Sequence, residues 1–182
     1  MLQELTIEEF LEELAARKPT PGGGSVAALS GALSAGLVSM AAEFSGNKDF
    51  SAQARTLMNI LTHLVDRDAK AFAARDLREA TQVPLQTAKH SHAVLKLAAA
   101  LLETCNPRVI TDIGVAAKMA EAAVKGAMLN VEVNLASIGD ENYKREVLKE
   151  AEEFSCPDSL ARMIVTNIEA QLRSQALHKS SS

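Results

Sequence analysis

Apolar residues recur along this chain at intervals of three and four, the period of an amphipathic helix, and nowhere in the strict alternation of a half-buried strand. Thr6 and Glu9 have capping-box spacing, and Ile7, Phe10, Leu11 and Leu14 share a face as far as Pro19, predicting a short first helix. Pro19, Pro21 and the run Gly22, Gly23, Gly24 then force a tight loop. An apolar second helix is expected from about Ser25, with Ala28, Ala32 and Gly36 on one row and Gly31, Ala35 and Ser39 on the next. Small rows let helices approach closely. Interior glycines cost about 1 kcal/mol relative to alanine, so they point to a central place in a bundle.

A third helix is predicted from Phe50 to Arg78, its stripe running through Ala54, Leu57, Leu61, Leu64, Val65 and Phe72. Asp68 falls on that stripe, whereas Asp66 and Arg67 should point elsewhere. A fourth helix is expected to open at Pro84, a tolerated first-turn position, and to reach Thr104. Asn106 and Pro107 break the chain, and Thr111 or Asp112 would cap a long helix carrying Ile113, Ala117, Val124, Val131 and Leu135. Gly139 and Asp140 mark a turn, Glu141 to Phe154 reads as a charged amphipathic helix, and Pro157 opens a last helix fraying over 177–182. With no repeat and no linker, the expectation is an all-α, single-domain bundle of about six or seven helices over residues 1–182.

Composition narrows the class. The 182 residues are 47% hydrophobic and 23% charged, enough for one compact core. The net charge of −4, with Lys and Arg scattered among acids, argues against nucleic acid as a partner. Val26 to Ala42 is uncharged, but its serines and glycines and the lack of aromatic or basic flanks suit a buried core helix better than a membrane span. The acidic start, MLQELTIEEFLEEL, is unlike a signal or transit peptide, so a cytoplasmic location is expected, with Cys105 and Cys156 as reduced thiols.

Several residues could carry chemistry. The Pro21, Gly22, Gly23, Gly24, Ser25 loop at a helix N-terminus could offer backbone N–H groups to an anion or carbonyl, or could simply turn the chain; it is not a Walker loop. A carboxylate on an apolar stripe, Asp68, could have a raised pKa suited to proton transfer, or could cap or pair within the core. Asp112 reads most simply as a helix cap. Asn130 and Asn134, one turn apart, could clamp a heterocycle or tie helices together. His90 and His92 lie on different faces and make a poor metal pair, and no metal site is expected.

Five segments in order resemble the cyclodeaminase/cyclohydrolase family: RKPTPGGGSVAALSGAL (Arg17 to Leu33), LVDRDAKAFAA (Leu64 to Ala74), VPL (Val83 to Leu85), NPRVITDIGVAA (Asn106 to Ala117) and GAMLNVEVNL (Gly126 to Leu135). The resemblance implies an all-helical, commonly homodimeric enzyme with a tetrahydrofolate derivative as substrate and no permanently bound cofactor. Such enzymes close 5-formiminotetrahydrofolate to 5,10-methenyltetrahydrofolate with loss of ammonia, or hydrolyse the methenyl compound to 10-formyltetrahydrofolate. On that resemblance Asp68 is the candidate general acid/base and Asp112 a second carboxyl or pterin anchor. Gly22, Gly23, Gly24 and Ser25 would contact folate, with Lys48 either meeting its glutamate tail or simply solvated in its loop, and Asn106, Asn130 and Asn134 among the binding residues. Two departures stand out: only AARDLREATQ separates Phe72 from Val83, where relatives carry a longer insert, and Ile113 replaces a smaller residue. The shortening could open the pocket or trim a subunit interface. A non-catalytic folate-binding or protein-interaction module of the same fold is the alternative.

Overall fold

The structure, a computed structural model, describes residues 1–154 and 156–179, without the side chains of 175–179. Seven α-helices follow one another among the described residues: α1 (Ile7–Ala15), α2 (Gly23–Phe44), α3 (Lys48–Ala74), α4 (Leu77–Leu101), α5 (Ile110–Ala136), α6 (Glu141–Ala151) and α7 (Pro157–Lys179). No strand occurs among them. Of the tail expected to fray, 177–179 continue α7, and 180–182 lie outside the described residues.

α2 is the axis of the molecule, packed against α3, α4 and α5. Its small residues explain why. Ala28, Ala35, Val38 and Ala42 have no exposed surface, and a Cβ on Gly31 would meet Leu61 of α3 at 3.1 Å and clash with the Ser91 hydroxyl of α4. Ser34 Oγ donates to the Ala116 carbonyl at 2.7 Å and Ser30 Oγ to that of Met119 at 3.0 Å. As residue numbers rise along α2 their partners on α5 fall, so the two helices run antiparallel. α2 is long and apolar enough to span a membrane, yet 61% of its apolar window is buried inside the bundle.

Several expected boundaries move. Gly23 and Gly24 form the first turn of α2 instead of preceding it. α3 ends at Ala74, where Arg75 takes a left-handed conformation (φ 55°), and Asp76 caps α4 by accepting from the Arg78 and Glu79 amides. The segment AARDLREATQ is thus a tight hairpin. Pro84 lies inside α4, not at its start. Proline has no N–H for the Ala80 carbonyl one turn back, but Asn134 Nδ2 donates to that carbonyl at 2.6 Å. α5 begins at Ile110 without a side-chain cap, so neither Thr111 nor Asp112 caps it; Asn106 caps the preceding turn, accepting from the Arg108 amide.

Two faces were also misjudged by periodicity. Phe72 is 58% exposed and Ile7 83% exposed, while Asp66, expected to point outward, is 6% exposed. Asp66 Oδ1 accepts the Leu2 amide at 2.5 Å and so pins the N-terminal turn to α3. Nothing local signals a contact across 64 residues.

Candidate functional site

The hairpin of α2 and α3 brings Asp68 to the head of α2. The Ser25 hydroxyl, itself buried, donates to Asp68 Oδ2 at 2.7 Å. Gly24 lies so close that a Cβ there would stand 2.6 Å from the Asp68 Cγ and 2.9 Å from Oδ2. Only glycine lets the carboxyl sit on the first turn of α2. Gly22 occupies the cap position with no side-chain bond, which leaves first-turn amides of α2 beside the acid without a cap partner. Burial pushes the Asp68 carboxyl above the usual carboxylate range, and the Ser25 hydroxyl and amide pull it partly back. A carboxyl with its pKa raised in this way can serve as a proton donor and acceptor.

Asn130 joins this end: its Nδ2 would lie 3.7 Å from a Cβ on Gly23. That Nδ2 also donates to Gly126 one turn back at 2.8 Å, which leaves its carbonyl oxygen for another partner. Asn134 shares the face, but its amide is engaged on Ala80. Arg67 is held by Glu79 at 2.6 Å and Gln86 at 3.0 Å. Pro21 is buried and follows a cis peptide.

Lys48, Asn106 and Asp112 gather at the opposite end. Asn106 Nδ2 donates to the Phe44 carbonyl at 3.0 Å, and the Asn106 amide donates to Ser45 Oγ at 2.9 Å. Burial raises the Cys105 thiol, the Ser45 hydroxyl pulls it back, and nearby Asp112 raises it further. Lys48 lines a polar hollow of about 400 Å³ with Ser45, Asn47, Asp49 and Thr104. A helix advances about 1.5 Å per residue, so roughly 30 Å separates Ser25 from Ser45. Within one chain these residues do not meet Asp68. No cluster of three or more metal-ligating side chains occurs among the described residues.

Comparison with known proteins places this arrangement. The family model for formiminotransferase-cyclodeaminase matches residues 6–76 and 73–153. The chain belongs to that family. It is 36% identical to a methenyltetrahydrofolate cyclohydrolase of Methylorubrum extorquens, over 81% of this chain and 87% of that protein. It is 33% identical to the formimidoyltransferase-cyclodeaminase of Rattus norvegicus over 80% of this chain, but spans only 33% of that longer protein. The fold matches a formiminotetrahydrofolate cyclodeaminase from Thermotoga maritima with a TM-score of 0.84, over 97% of this chain and 100% of that one, at 24% identity. That last likeness is one of fold.

Proposed function

We propose that this protein is a folate one-carbon enzyme, acting on the single carbon held between N5 and N10 of tetrahydrofolate. The observation that carries this is the half-buried Asp68 carboxyl, seated at the head of α2 and hydrogen-bonded by Ser25. Family membership, and the named activities of the relatives, support it. In the hydrolytic direction, ionised Asp68 takes a proton from water as its oxygen bonds to the methenyl carbon; the carbon–N5 bond then breaks, N5 receives a proton, and one proton is released overall. In the cyclising direction, N10 attacks the formimino carbon, Asp68 takes the N10 proton and returns it to the departing nitrogen, and a second proton from solvent completes ammonia. One carboxyl serves both directions. The substrate is a tetrahydrofolate derivative with no permanently bound cofactor, and the enzyme works in the cytoplasm as a homodimer.

The test is an absorbance assay of methenyltetrahydrofolate, following its loss on hydrolysis and its appearance from the formimino compound, each beside Asp68→Asn. Turnover that the variant lacks supports the assignment. Rates at the uncatalysed level in both directions reject it and leave a folate-binding or protein-interaction module, for which folate titration is the next measurement.

A further inference from the structure

The chain is shorter than its relatives at one place. The two stretches that match the family meet at residues 73–76, in the turn from α3 to α4. Alignment with the Methylorubrum protein runs over 181 positions yet takes up 81% of this 182-residue chain, so about thirty aligned positions have no residue here. The hairpin that remains ends close to Asp68. α2 and α3 run antiparallel, with Gly24 against Asp68 and Gly31 against Leu61. The last six residues of α3, ending at Ala74, therefore overrun the head of α2 by about 9 Å. No residue of α2 lies opposite that overhang. Phe72, one turn past Asp68 on the same face, is 58% exposed there, and Arg75 stands at its end.

The arginines of this hairpin differ in one respect. Arg67 is held by Glu79 at 2.6 Å and Arg78 by Asp140 at 2.7 Å. Arg75 is exposed, and its guanidinium has no ion pair or hydrogen bond among the described residues. The neighbouring Asp76 carboxylate is turned to the Arg78 and Glu79 amides. Arg75 also takes the left-handed conformation that follows a helix, where glycine is the ordinary residue. The turn itself gains nothing from an arginine, and the cation is left for a ligand.

We infer that the overhang is the subsite for the outer half of the folate: Phe72 stacks on the p-aminobenzoyl ring and Arg75 pairs with the first glutamate carboxylate. This rests on the function proposed above, and the lengths agree. Along α3, Phe72 lies about 6 Å and Arg75 about 10 Å beyond Asp68. In the substrate, summed bond lengths put the ring centre about 4 Å and the glutamate α-carboxylate about 10 Å from the reacting carbon. An exposed phenyl face suits offset stacking on an aromatic ring, and a guanidinium fork suits a carboxylate. Because Arg75 lies in the shortened turn, this half of the subsite belongs to the short hairpin.

Substrate and protein are changed together to test it. Arg75→Gly should melt no lower than wild type, since glycine suits the turn, yet raise KM for methenyltetrahydrofolate about three- to tenfold with kcat within about twofold, the pattern of lost ground-state binding. An analogue carrying a neutral methylamide in place of the glutamate should be indifferent to Arg75→Gly. An unchanged KM, or an equal rise on both compounds, overturns the role of Arg75. Phe72→Ala should raise KM about three- to tenfold on both compounds, and Phe72→Tyr should restore it, because tyrosine keeps the ring. A KM unmoved by Phe72→Ala overturns the stacking. An inactive wild type would reject the proposed function separately. Calorimetric titration of the same variants with 5-formyltetrahydrofolate would then decide the subsite, which equal affinities would overturn.

Discussion

Gly24→Ala isolates the contact on which the site depends. A Cβ at this position would stand 2.6 Å from the Asp68 Cγ, whereas ordinary contact begins at 3.4 Å. Because Oδ1 would stand closer still, the carboxyl must retreat by at least about 0.8 Å, enough to stretch the 2.7 Å bond from Ser25 to about 3.5 Å or more, beyond useful hydrogen-bonding range. The obstruction is the tip of a side chain and not backbone, so the fold can yield. Alanine also gains about 0.5–1 kcal/mol over glycine inside a helix. Stability should thus change by less than about 1 kcal/mol, a Tm shift within about 4 °C for a chain of this size. Activity should respond differently, because a misplacement near 1 Å costs on the order of 100-fold. Thermal melts followed by circular dichroism, together with the methenyltetrahydrofolate absorbance assay, measure both. A Gly24→Ala protein with turnover within about threefold of wild type would refute the reasoning, since a proton carrier cannot be displaced by this much without consequence.

Other expectations follow from the same contacts. Asp68→Asn should lower turnover by about 10²- to 10⁴-fold, the range for a positioned acid or base, and remove the pH dependence attached to this carboxyl. Because the folded-state pKa of Asp68 is raised, the folded protein binds more protons than the unfolded chain above pH 3.8, so this group lowers stability as pH rises. The stability of Asp68→Asn relative to wild type should therefore increase from acidic to neutral pH in chemical denaturation; a constant difference would contradict the desolvated carboxyl. Asn134→Ala should cost about 1–2 kcal/mol by orphaning the Ala80 carbonyl. In a Pro84→Ala background, where residue 84 regains its N–H, that cost should largely vanish, and an additive double-mutant cycle would refute the coupling. Gly31→Ala, facing Leu61 and Ser91 inside the core, should destabilise by about 1–3 kcal/mol, read from the urea midpoint.

The helical class, the central place of α2 and the inward placing of Asp68 on its helix were legible because each rests on local spacing. A period of 3.6, small residues at four-residue intervals and a carboxylate on an apolar stripe are all set by neighbours within a few turns. Element ends were less legible where tertiary contacts compensate a local rule. Pro84 reads as a helix start because its missing N–H should be costly in the interior, and only Asn134, fifty residues on, removes that cost. Asp66 reads as a surface residue because its partner is the amide of Leu2, at the far end of the chain. Periodicity names an apolar face without saying what covers it, which is why Ile7 and Phe72 emerge into solvent.

The candidate site divides along the same line. Gly24, Ser25 and Asp68 belong together because an antiparallel hairpin of two long helices must bring the start of one to the end of the next. Lys48, Asn106 and Asp112 carry equally suggestive sequence, yet the rigid length of α2 holds them about 30 Å away, at 1.5 Å per residue. Sequence determines the helices and the chemistry they carry. Which groups meet, and that Gly24 must lack a side chain for Asp68 to reach the head of α2, was decided by packing in three dimensions, where steric exclusion acts between residues that are remote along the chain.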